Sequence, residues 1–466
     1  MEPEALTLKP LVTSWLNALP PKIKGRQSIV DKLSAIYDAI LDDACYYMRK
    51  NCSEPVTTVN NNLCQSSFRI LDSYFKDYYE TEVKKIDEEQ LDALEAMIGE
   101  LTAYALSWSI ACTSNMEGRK RMSIYMKTKF NDAKLNFPED KTIFDWCYDI
   151  KAKEWKPWLE TIPIFTVDTK LNYSEIVVPT DDSVRMKYLM KLLVMNDKHV
   201  LTPGPTGTGK TVNIKELLGS EVPEEIQSLA MTFSAQTSAN QTQDFLDDKF
   251  QKRRKGVYGP PVGSKFVIFI DDLNMPKKEE YGAQPPLELI RQWLDHKGWY
   301  DRKSKEKSFM NVVDIMMMCA MGPPGGGRSP ITQRIQRHFN IITYTDLEVE
   351  TINGIFASIV QKFLENFTED VKSNVANLVT SQLKVYNNVL TGPLKPIPRK
   401  SHYTFNLRDI SKIFQGICSV NSQAISAKVE LIRLWIHENK RVFGDRLVDN
   451  QDREWLDSQL LMEAES

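Results

Sequence analysis

The spacing of apolar residues separates the 466-residue chain into regions of different predicted structure. From residue 1 to about residue 160, apolar positions recur at three- and four-residue steps, as Leu94, Ile98 and Leu101 do. This spacing is typical of helices that bury one face. We therefore predict an all-helical region, in which the tryptophans and methionines serve as core packing.

Beyond residue 160 the pattern alternates between strands and helices. Strands are predicted at 198–203, 228–234, 265–271, 312–320 and 339–344, and helices at 210–218, 239–254, 285–297 and 331–337. Such alternation, with strands that are almost continuously apolar, favours a doubly wound α/β fold with a parallel sheet covered on both faces. After residue 346 the pattern is again helical, at 346–390 and 405–446, with a Pro-rich linker at 392–398.

Composition and charge argue against several classes of protein. The chain is 42% hydrophobic and 26% charged, and its net charge of −3 gives no general attraction to nucleic acid or to an anionic membrane. The longest apolar run, at 101–112, is too short to span a bilayer, and the acidic start Met1–Glu4 lacks a signal-peptide pattern. Seven scattered cysteines without a C-x-x-C pair argue against a disulfide framework or a zinc site. We expect a cytoplasmic type of chain that binds neither nucleic acid nor a membrane.

The most specific chemical signal is a glycine-rich loop between a predicted strand and a predicted helix. It consists of Gly204, Pro205, Thr206, Gly207, Thr208, Gly209, Lys210 and Thr211. Such a loop directs backbone N–H groups and the positive end of a helix dipole at one point, where phosphates bind. Lys210 can reach the β- and γ-phosphates, and the Thr211 hydroxyl can ligate Mg²⁺. The loop predicts binding of ATP or ADP together with Mg²⁺.

Two aspartates end the predicted strand at 265–271. In a P-loop fold the first of them, Asp271, would help to hold Mg²⁺, although an acidic residue here also suits a simple turn. Asp272 would then orient or deprotonate the attacking water. Glutamate is the usual residue at that position, and a displacement of about 1 Å at a reacting group can cost about a hundredfold in rate. The sequence therefore favours nucleotide binding over fast hydrolysis.

A second glycine-rich segment, Met321–Arg328, follows the strand predicted at 312–320. It lacks the Gly-Lys-Ser/Thr ending of a phosphate-binding loop, and we interpret it as a tight turn. Beyond it, Arg334 and Arg337 lie on one predicted helix. In ring-forming ATPases an arginine here reaches the neighbouring subunit's γ-phosphate, but on sequence alone either residue is equally a surface cation.

Together these segments resemble the AAA+ family, and specifically the third of the six AAA+ modules of axonemal dynein heavy chains. The strings that carry the resemblance lie at 269–276, 281–286, 319–328 and 434–438. The resemblance covers nearly the whole chain and implies five segments. These are the helical lid of a preceding AAA+ module at 1–80, a helical connector at 81–160, the α/β nucleotide-binding domain at 161–345, its helical lid at 346–450 and a tail at 451–466.

The resemblance also implies roles for particular residues. Val178, Pro179 and Thr180 match the loop that packs against adenine. Arg408 matches the lid arginine that senses the γ-phosphate, although a solvated helix arginine would look the same. Arg337, with Arg334 as the alternative, matches the finger directed at the second module's nucleotide.

Two departures from the AAA+ pattern argue against efficient hydrolysis in this chain. Asp272 stands where a glutamate is usual, and Gly322 stands where a polar sensor residue usually ends the fourth strand. In addition, the finger for this site would come from the next module, and such a finger contributes roughly 10³ to 10⁵ in rate in related enzymes. Turnover by this chain alone is therefore expected to be weak or absent.

The implied function is a nucleotide-binding module of a dynein ATPase motor that regulates microtubule-based ciliary motility. The implied partners are neighbouring AAA+ modules of a ring, dynein intermediate or light chains, and microtubules only through the full-length motor. The implied location is the cytoskeleton of the cilium or flagellum axoneme. We expect a fragment or short isoform of such a motor, with a variant end at 460–466. An autonomous ring-forming AAA+ ATPase and a non-catalytic structural module with a resident nucleotide remain as alternatives.

Overall fold

The computed structural model describes residues 7–80, 85–162, 165–168 and 171–465. The predicted domain boundary at residue 81, the acidic start Met1–Glu4 and the last residue of the predicted tail lie outside these residues. The chain divides into two compact units. The first comprises Met1–Ile162, Asp181–Pro205 and Gly209–Thr345, and the second comprises Pro163–Thr180, Thr206–Thr208 and Asp346–Ser466. Across the described residues, no helix has both the length and the apolarity needed to cross a lipid bilayer.

The first unit begins with helices, followed by a short β-hairpin. The helices are α1 (Lys9–Asn17), α2 (Pro21–Gly25), α3 (Gln27–Asn51), α4 (Asn60–Phe75), α5 (Glu88–Ser109) and α6 (Met116–Asp132), and the hairpin strands are β1 (Trp146–Asp149) and β2 (Glu154–Pro157). Helix α5 carries the predicted apolar stripe and is buried all round toward its end. The helical prediction is confirmed for α1–α6 but is wrong for the hairpin, because strands of four residues are too short to show a period.

The α/β part of the first unit follows. Its helices are α7 (Asp181–Val194), α8 (Lys210–Glu216), α9 (Ala239–Asp247), α10 (Pro285–His296) and α11 (Gln333–Gln336), and its strands are β3 (Val200–Pro203), β4 (Ile226–Thr232), β5 (Gln251–Arg254), β6 (Val257–Gly259), β7 (Lys265–Asp271), β8 (Gly298–Tyr300), β9 (Phe309–Val312), β10 (Ile315–Met321) and β11 (Asn340–Ile341). The main sheet has the order β11-β3-β10-β7-β4, and each neighbouring pair is parallel. All these strands therefore end at the same edge of the sheet.

Both faces of the main sheet are buried, as expected for a doubly wound fold. Along β7, Val267 and Phe269 belong to the hydrophobic cluster that includes α3–α7. The alternating residues Ile268 and Ile270 belong to a second cluster with α10. This arrangement confirms the predicted α/β fold class and explains why the strands read as continuous apolar runs.

A second, smaller sheet was not predicted. It has the order β5-β6-β9-β8. The helix predicted over 239–254 ends at Asp247, and the chain turns back through Gly256, whose φ is +74°. Phe250, just before β5, stacks near Phe266 and Trp299, at centroid distances of 6.3 and 6.2 Å. These contacts between residues distant in sequence outweigh the helical pattern of the segment.

A partly buried arginine connects helix α4 to the edge of the main sheet. The Arg69 guanidinium donates to the carbonyl oxygens of Arg337 (2.7 Å) and Phe339 (3.2 Å). Burial lowers the pKa of Arg69 to about 10. The N-terminal helices and the main sheet therefore share polar contacts as well as a hydrophobic cluster.

The main helices of the second unit are α12 (Val349–Phe363), α13 (Glu369–Lys372), α14 (Val375–Thr391), α15 (Leu407–Cys418), α16 (Lys428–Val442) and α17 (Asn450–Glu465). The segment assigned to a tail is therefore the helix α17. Its Leu456 and Leu460 are buried in the hydrophobic cluster of this unit. The Tyr403 hydroxyl donates to Asp452 at 2.7 Å, which joins α17 to the segment before α15.

Candidate nucleotide-binding site

The glycine-rich loop joins the end of β3 to the start of α8, as the sequence predicts. Gly207 and Gly209 have φ angles of +92° and +79°, a region that favours glycine. A Cβ atom on Gly204 would lie only 2.5 Å from the carbonyl oxygen of Tyr344. The Gly204 N–H donates to the carbonyl oxygen of Met321, at 3.1 Å, which ties the start of the loop to the end of β10.

Lys210 is buried inside this loop. Its ammonium donates to the carbonyl oxygen of Gly204, at 2.8 Å, and to that of Pro205. A lysine ammonium carries three donors that rotate about a flexible stem. The loop therefore holds a positive charge at the point where backbone N–H groups converge on a phosphate in P-loop folds.

The hydroxyl of Thr211 lies against the carboxylate that ends β7. The distance from Thr211 Oγ1 to Asp271 Oδ2 is 2.8 Å, and Asp271 Oδ1 accepts the N–H of Asp272 at 3.0 Å. A hydroxyl and a carboxylate oxygen are ligands that Mg²⁺ prefers. The donor set at this edge of the sheet therefore fits a nucleotide phosphate chain with its Mg²⁺.

Asp272 follows directly and has a left-handed backbone, with φ of +53°. Its carboxylate faces Arg328, with 3.5 Å between Asp272 Oδ1 and Arg328 Nη2. Gly322 follows β10 at the same edge, and its carbonyl oxygen accepts the side-chain amide of Asn274 at 2.9 Å. The structure therefore brings Asp271, Asp272 and Gly322 to the edge where β3 enters the loop. The cation beside Asp272 was missed, because its segment was interpreted only as a tight turn.

A buried tyrosine supports the loop from the side of the sheet. The side-chain amide of Asn213, in α8, donates to the hydroxyl of Tyr344 at 3.1 Å. Burial raises the pKa of Tyr344 well above its usual range, so the hydroxyl stays neutral. This contact fixes α8 against the segment after β11 that also limits the space at Gly204.

The two candidate finger arginines lie on the surface of the first unit, at and after α11. Arg337 donates to Asp295 at 2.5 Å, and its Nε donates to the carbonyl oxygen of Arg334 at 3.2 Å. The side chain of Arg337 is 57% exposed. Its role as a finger, and that of Arg334 as the alternative, stay predictions.

Arg408 and the segment Val178–Thr180 belong to the second unit. Arg408 is exposed in the first turn of α15, and its backbone N–H donates to the side chain of the cap residue Asn406 at 2.9 Å. Val178–Thr180 is partly buried and irregular, and it directly precedes α7. The sensing and adenine-packing roles predicted for these residues stay predictions.

The second unit also contains a cavity that the sequence did not indicate, with a volume of about 400 Å³. Its wall includes Thr206 and Thr208, which belong to this unit, and Lys384. Its apolar wall residues include Leu347, Ile352, Leu383 and Leu407. Asp346, Asn353, Thr380 and Asn387 add polar groups to the wall. The volume is that of a small-molecule site. The residues on α12 and α14 were missed, because an apolar stripe on a helix looks the same whether it faces a core or a cavity.

Models of known families match most of the chain. Residues 165–347 match the model described as the P-loop containing dynein motor region. Residues 33–160 match the dynein heavy chain AAA lid domain, and residues 378–465 match an AAA+ lid domain. Along the chain, a lid domain is therefore followed by the motor region and then by a second lid domain.

The chain is similar over its full length to axonemal dynein heavy chains. It is 41% identical over 496 residues to dynein axonemal heavy chain 1 of Mus musculus, a match that covers 100% of this chain and 12% of that protein. The human heavy chain 1 is 41% identical over 491 residues, covering 99% of this chain and 11% of that protein. Dynein axonemal heavy chain 12 of Mus musculus is 36% identical over 479 residues, a match that covers 98% of this chain and 15% of that protein. The chain therefore spans only about an eighth of the length of these relatives.

Proposed function

Since the chain belongs to the dynein heavy-chain family of AAA+ modules, we propose that it is the third AAA+ module of an axonemal dynein, preceded by the lid of the second. In this proposal 1–80 is the preceding lid, 81–160 the connector, 161–345 the nucleotide-binding domain and 346–450 its lid, with 451–466 beyond it. The module binds ATP or ADP with Mg²⁺ and regulates ciliary motility. The family matches and the similarity to axonemal chains support this proposal.

The observation that carries the proposal is the 2.8 Å contact between the Thr211 hydroxyl and the Asp271 carboxylate, beside the buried ammonium of Lys210. Thr211 and Asp271 would hold the metal, and Lys210 would pair with phosphate oxygens. Bound Mg²⁺ would neutralise part of the charge on the phosphates. In P-loop folds the backbone N–H groups of such a loop bind phosphate oxygens.

Slow or absent hydrolysis is the second part of the proposal. Asp272 is short for a residue that activates water, and its carboxylate lies 3.5 Å from the cation of Arg328. Gly322 offers no polar side chain at the end of β10. The finger arginine for this site would come from a following module, as Arg337 would serve the preceding one. A module with these features suits a regulatory role, in which the nucleotide favours one conformation by differential contacts, with Arg408 as a sensor.

The partners and location follow from the relatives and are proposed for this chain. The neighbours would be the other AAA+ modules of a dynein ring, and microtubules would be reached only through the complete motor. Intermediate or light chains of dynein would be further partners of that motor. The names of the similar heavy chains support a location in the axoneme of cilia or flagella.

Isothermal titration calorimetry with MgATP and MgADP tests the binding proposal. We expect micromolar dissociation constants for the wild-type chain and no detectable binding by Lys210→Ala. Lys215→Ala is the matched control, because Lys215 is an exposed lysine on the same helix α8. Equal binding by wild type and Lys210→Ala would refute a phosphate site in this loop.

The resident nucleotide and its turnover need a separate measurement. Nucleotide extracted from the purified chain and identified by chromatography would show what the site retains. A phosphate-release assay with and without Mg²⁺ should then give little turnover. Rapid Mg²⁺-dependent release by the isolated chain would contradict the regulatory assignment and favour an autonomous ATPase.

A further inference from the structure

Gly322 is packed against the side chain of Arg328. A Cβ atom on Gly322 would lie 2.6 Å from Arg328 Nε, 2.7 Å from Cδ and 2.9 Å from Cζ. The guanidinium group therefore fills the space that a side chain at position 322 would need. This space lies at the phosphate-binding edge, because Met321, the residue before Gly322, accepts the N–H of Gly204 at 3.1 Å.

A compact turn brings Arg328 back to this position. The N–H and carbonyl groups of Gly325 and Arg328 bond to each other, at 3.0 Å in both directions. Gly325, Gly326 and Gly327 all have positive φ angles, so the turn depends on glycine. After the turn, the N–H of Ser329 donates to the carbonyl oxygen of Asn274 at 3.1 Å. The backbone therefore holds the base of the Arg328 side chain on both sides.

The guanidinium itself is poorly satisfied. Its Nε atom is buried and makes no hydrogen bond with any described residue, and its contact with Asp272 is long, at 3.5 Å. The side chain is only 27% exposed. A buried donor without a partner costs free energy, and a planar guanidinium matches phosphate oxygens better than a point charge does. These features indicate a cation whose hydrogen-bonding capacity is not fully used by the described residues.

We propose that Arg328 is a γ-phosphate-binding residue of this same module, and that its guanidinium exchanges the Asp272 carboxylate for the γ-phosphate of bound ATP. This inference rests on the proposed nucleotide site and adds a determinant of ATP over ADP. The cation stands in the space that an ordinary side chain at position 322 would occupy. It also holds Asp272 in an ion pair until a triphosphate competes for the same guanidinium.

The exchange predicts a loss of affinity that is specific for the triphosphate. In Arg328→Gln we expect the dissociation constant of a non-hydrolysable ATP analogue to rise about 10- to 100-fold, because a charge-assisted hydrogen bond is lost. The dissociation constant of MgADP should change less than about twofold. Arg328→Lys should restore part of the affinity. Arg254→Gln, which removes an exposed arginine from β5, is the control and should alter neither constant.

Two further variants change the neighbours of Arg328 and leave the arginine in place. Gly322→Ala puts a Cβ atom into the volume of the guanidinium and should produce the same triphosphate-specific loss. Asp272→Asn removes the competing carboxylate and should tighten binding of the ATP analogue several-fold while leaving ADP unchanged. Melting curves without nucleotide would establish that each variant is folded before its constants are compared.

Calorimetry with both nucleotides separates this inference from the proposed function. If folded Arg328→Gln binds the ATP analogue like wild type, or loses ATP and ADP equally, the γ-phosphate role is wrong even though Lys210→Ala still abolishes binding. If the wild-type chain binds neither nucleotide, the proposed function and this inference both fail. A selective loss in Arg328→Gln and Gly322→Ala, with a gain in Asp272→Asn, would support the exchange.

Discussion

Gly204 has no space for even one methyl group. The nearest atom to its ideal Cβ position is the Tyr344 carbonyl oxygen, at 2.5 Å, and real Cβ atoms do not approach so closely. We expect Gly204→Ala to destabilise the first unit by about 2 kcal/mol or more, since the loop or the backbone at Tyr344 has to move. Urea unfolding followed by tryptophan fluorescence would measure the loss.

Gly219 provides the matched control for this variant. No described atom lies within 4 Å of its ideal Cβ position, and its φ is not positive. Gly219→Ala should therefore be neutral, or stabilise by up to about 1 kcal/mol through the unfolded chain. Similar unfolding midpoints for Gly204→Ala and Gly219→Ala would mean that the backbone around Gly204 can move to accept a methyl group without a loss of stability.

His199 makes the stability of the main sheet depend on pH. Its Nδ1 accepts the backbone N–H of Met317 at 3.2 Å, so the neutral ring is the form that fits. Burial lowers the pKa of His199 to about 3, and nearby positive charges add to the effect, namely Lys297, Arg69, His338 and Lys198. Between pH 6.5 and 3 the unfolded chain binds a proton that the folded chain rejects, so stability falls as pH falls.

Because of His199, the free energy of unfolding should decrease by about 1–2 kcal/mol between pH 7 and pH 5. His199→Asn keeps an acceptor for the Met317 N–H and cannot titrate in this range, so it should flatten the pH dependence of the unfolding temperature. His437→Gln is the control, because the His437 side chain is 70% exposed. If the unfolding temperature of His199→Asn falls with decreasing pH as steeply as that of the wild type, other groups cause the loss of stability in acid.

Residue types and spacing were enough to predict some contacts of the site and not others. The meeting of Thr211 and Asp271 follows from two strand ends at one sheet edge, each marked by its own motif. The approach of Arg328 to Asp272 could not be predicted, because it depends on the path of a turn with successive positive φ angles. Its only sequence signal is the run of glycines before the arginine.

At the scale of elements, helix α15 depends on a reciprocal cap at its start. The Asn406 side chain accepts the N–H of Arg408 at 2.9 Å, and the Asp409 carboxylate accepts the N–H of Asn406 at 3.1 Å. Asp409 is buried and also pairs with Arg446, at 2.9 Å. Because this cap fixes the first turn, it also fixes the backbone position of Arg408.

Loss of this cap should loosen the start of α15. We expect Asn406→Ala to cost about 1 kcal/mol, since one helix N–H loses its acceptor. Asn377→Ala is the control, because Asn377 is an exposed residue inside α14 and alanine is the better helix former there. Thermal unfolding of both variants would test this, and a larger loss for Asn377→Ala would contradict the capping role.

Long elements were easier to predict than short ones, and β7 and the small sheet show why. β7 has buried residues on both faces, so its apolar run is visible in the sequence. The strands β5, β6, β8 and β9 have three or four residues each, too few to show a period, and β5 has no apolar residue at all. Their pairing is decided by contacts such as Trp299 Nε1 to Asp247 Oδ1, at 2.9 Å, between residues far apart in the chain.

At the scale of the whole molecule, the N-terminal helices are part of the structure that supports the site. They share one hydrophobic cluster with α7 and with one face of the main sheet. Arg69 adds hydrogen bonds from α4 to the segment that carries Arg337. In the proposed ring, this arrangement would join the lid of the preceding module to the arginine directed at that module's nucleotide.

The final prediction concerns turnover by the isolated chain. If Arg337 serves the preceding module and the finger for this site comes from the following one, turnover per molecule should be low and independent of protein concentration. Arg337→Ala should then leave phosphate release unchanged. Arg337 is 57% exposed, and without it Asp295 keeps its ion pair with Arg291 at 2.7 Å, so the variant should remain folded.

An autonomous ring-forming ATPase would behave differently. There, Arg337 of one copy would complete the site of the next, turnover would rise with concentration, and Arg337→Ala would reduce it by several orders of magnitude. Phosphate release measured across a range of concentrations, with sedimentation in MgATP on the same samples, separates the two cases. Rings in sedimentation together with an Arg337-dependent rise in turnover would overturn the assignment of this chain to one module of a larger ring.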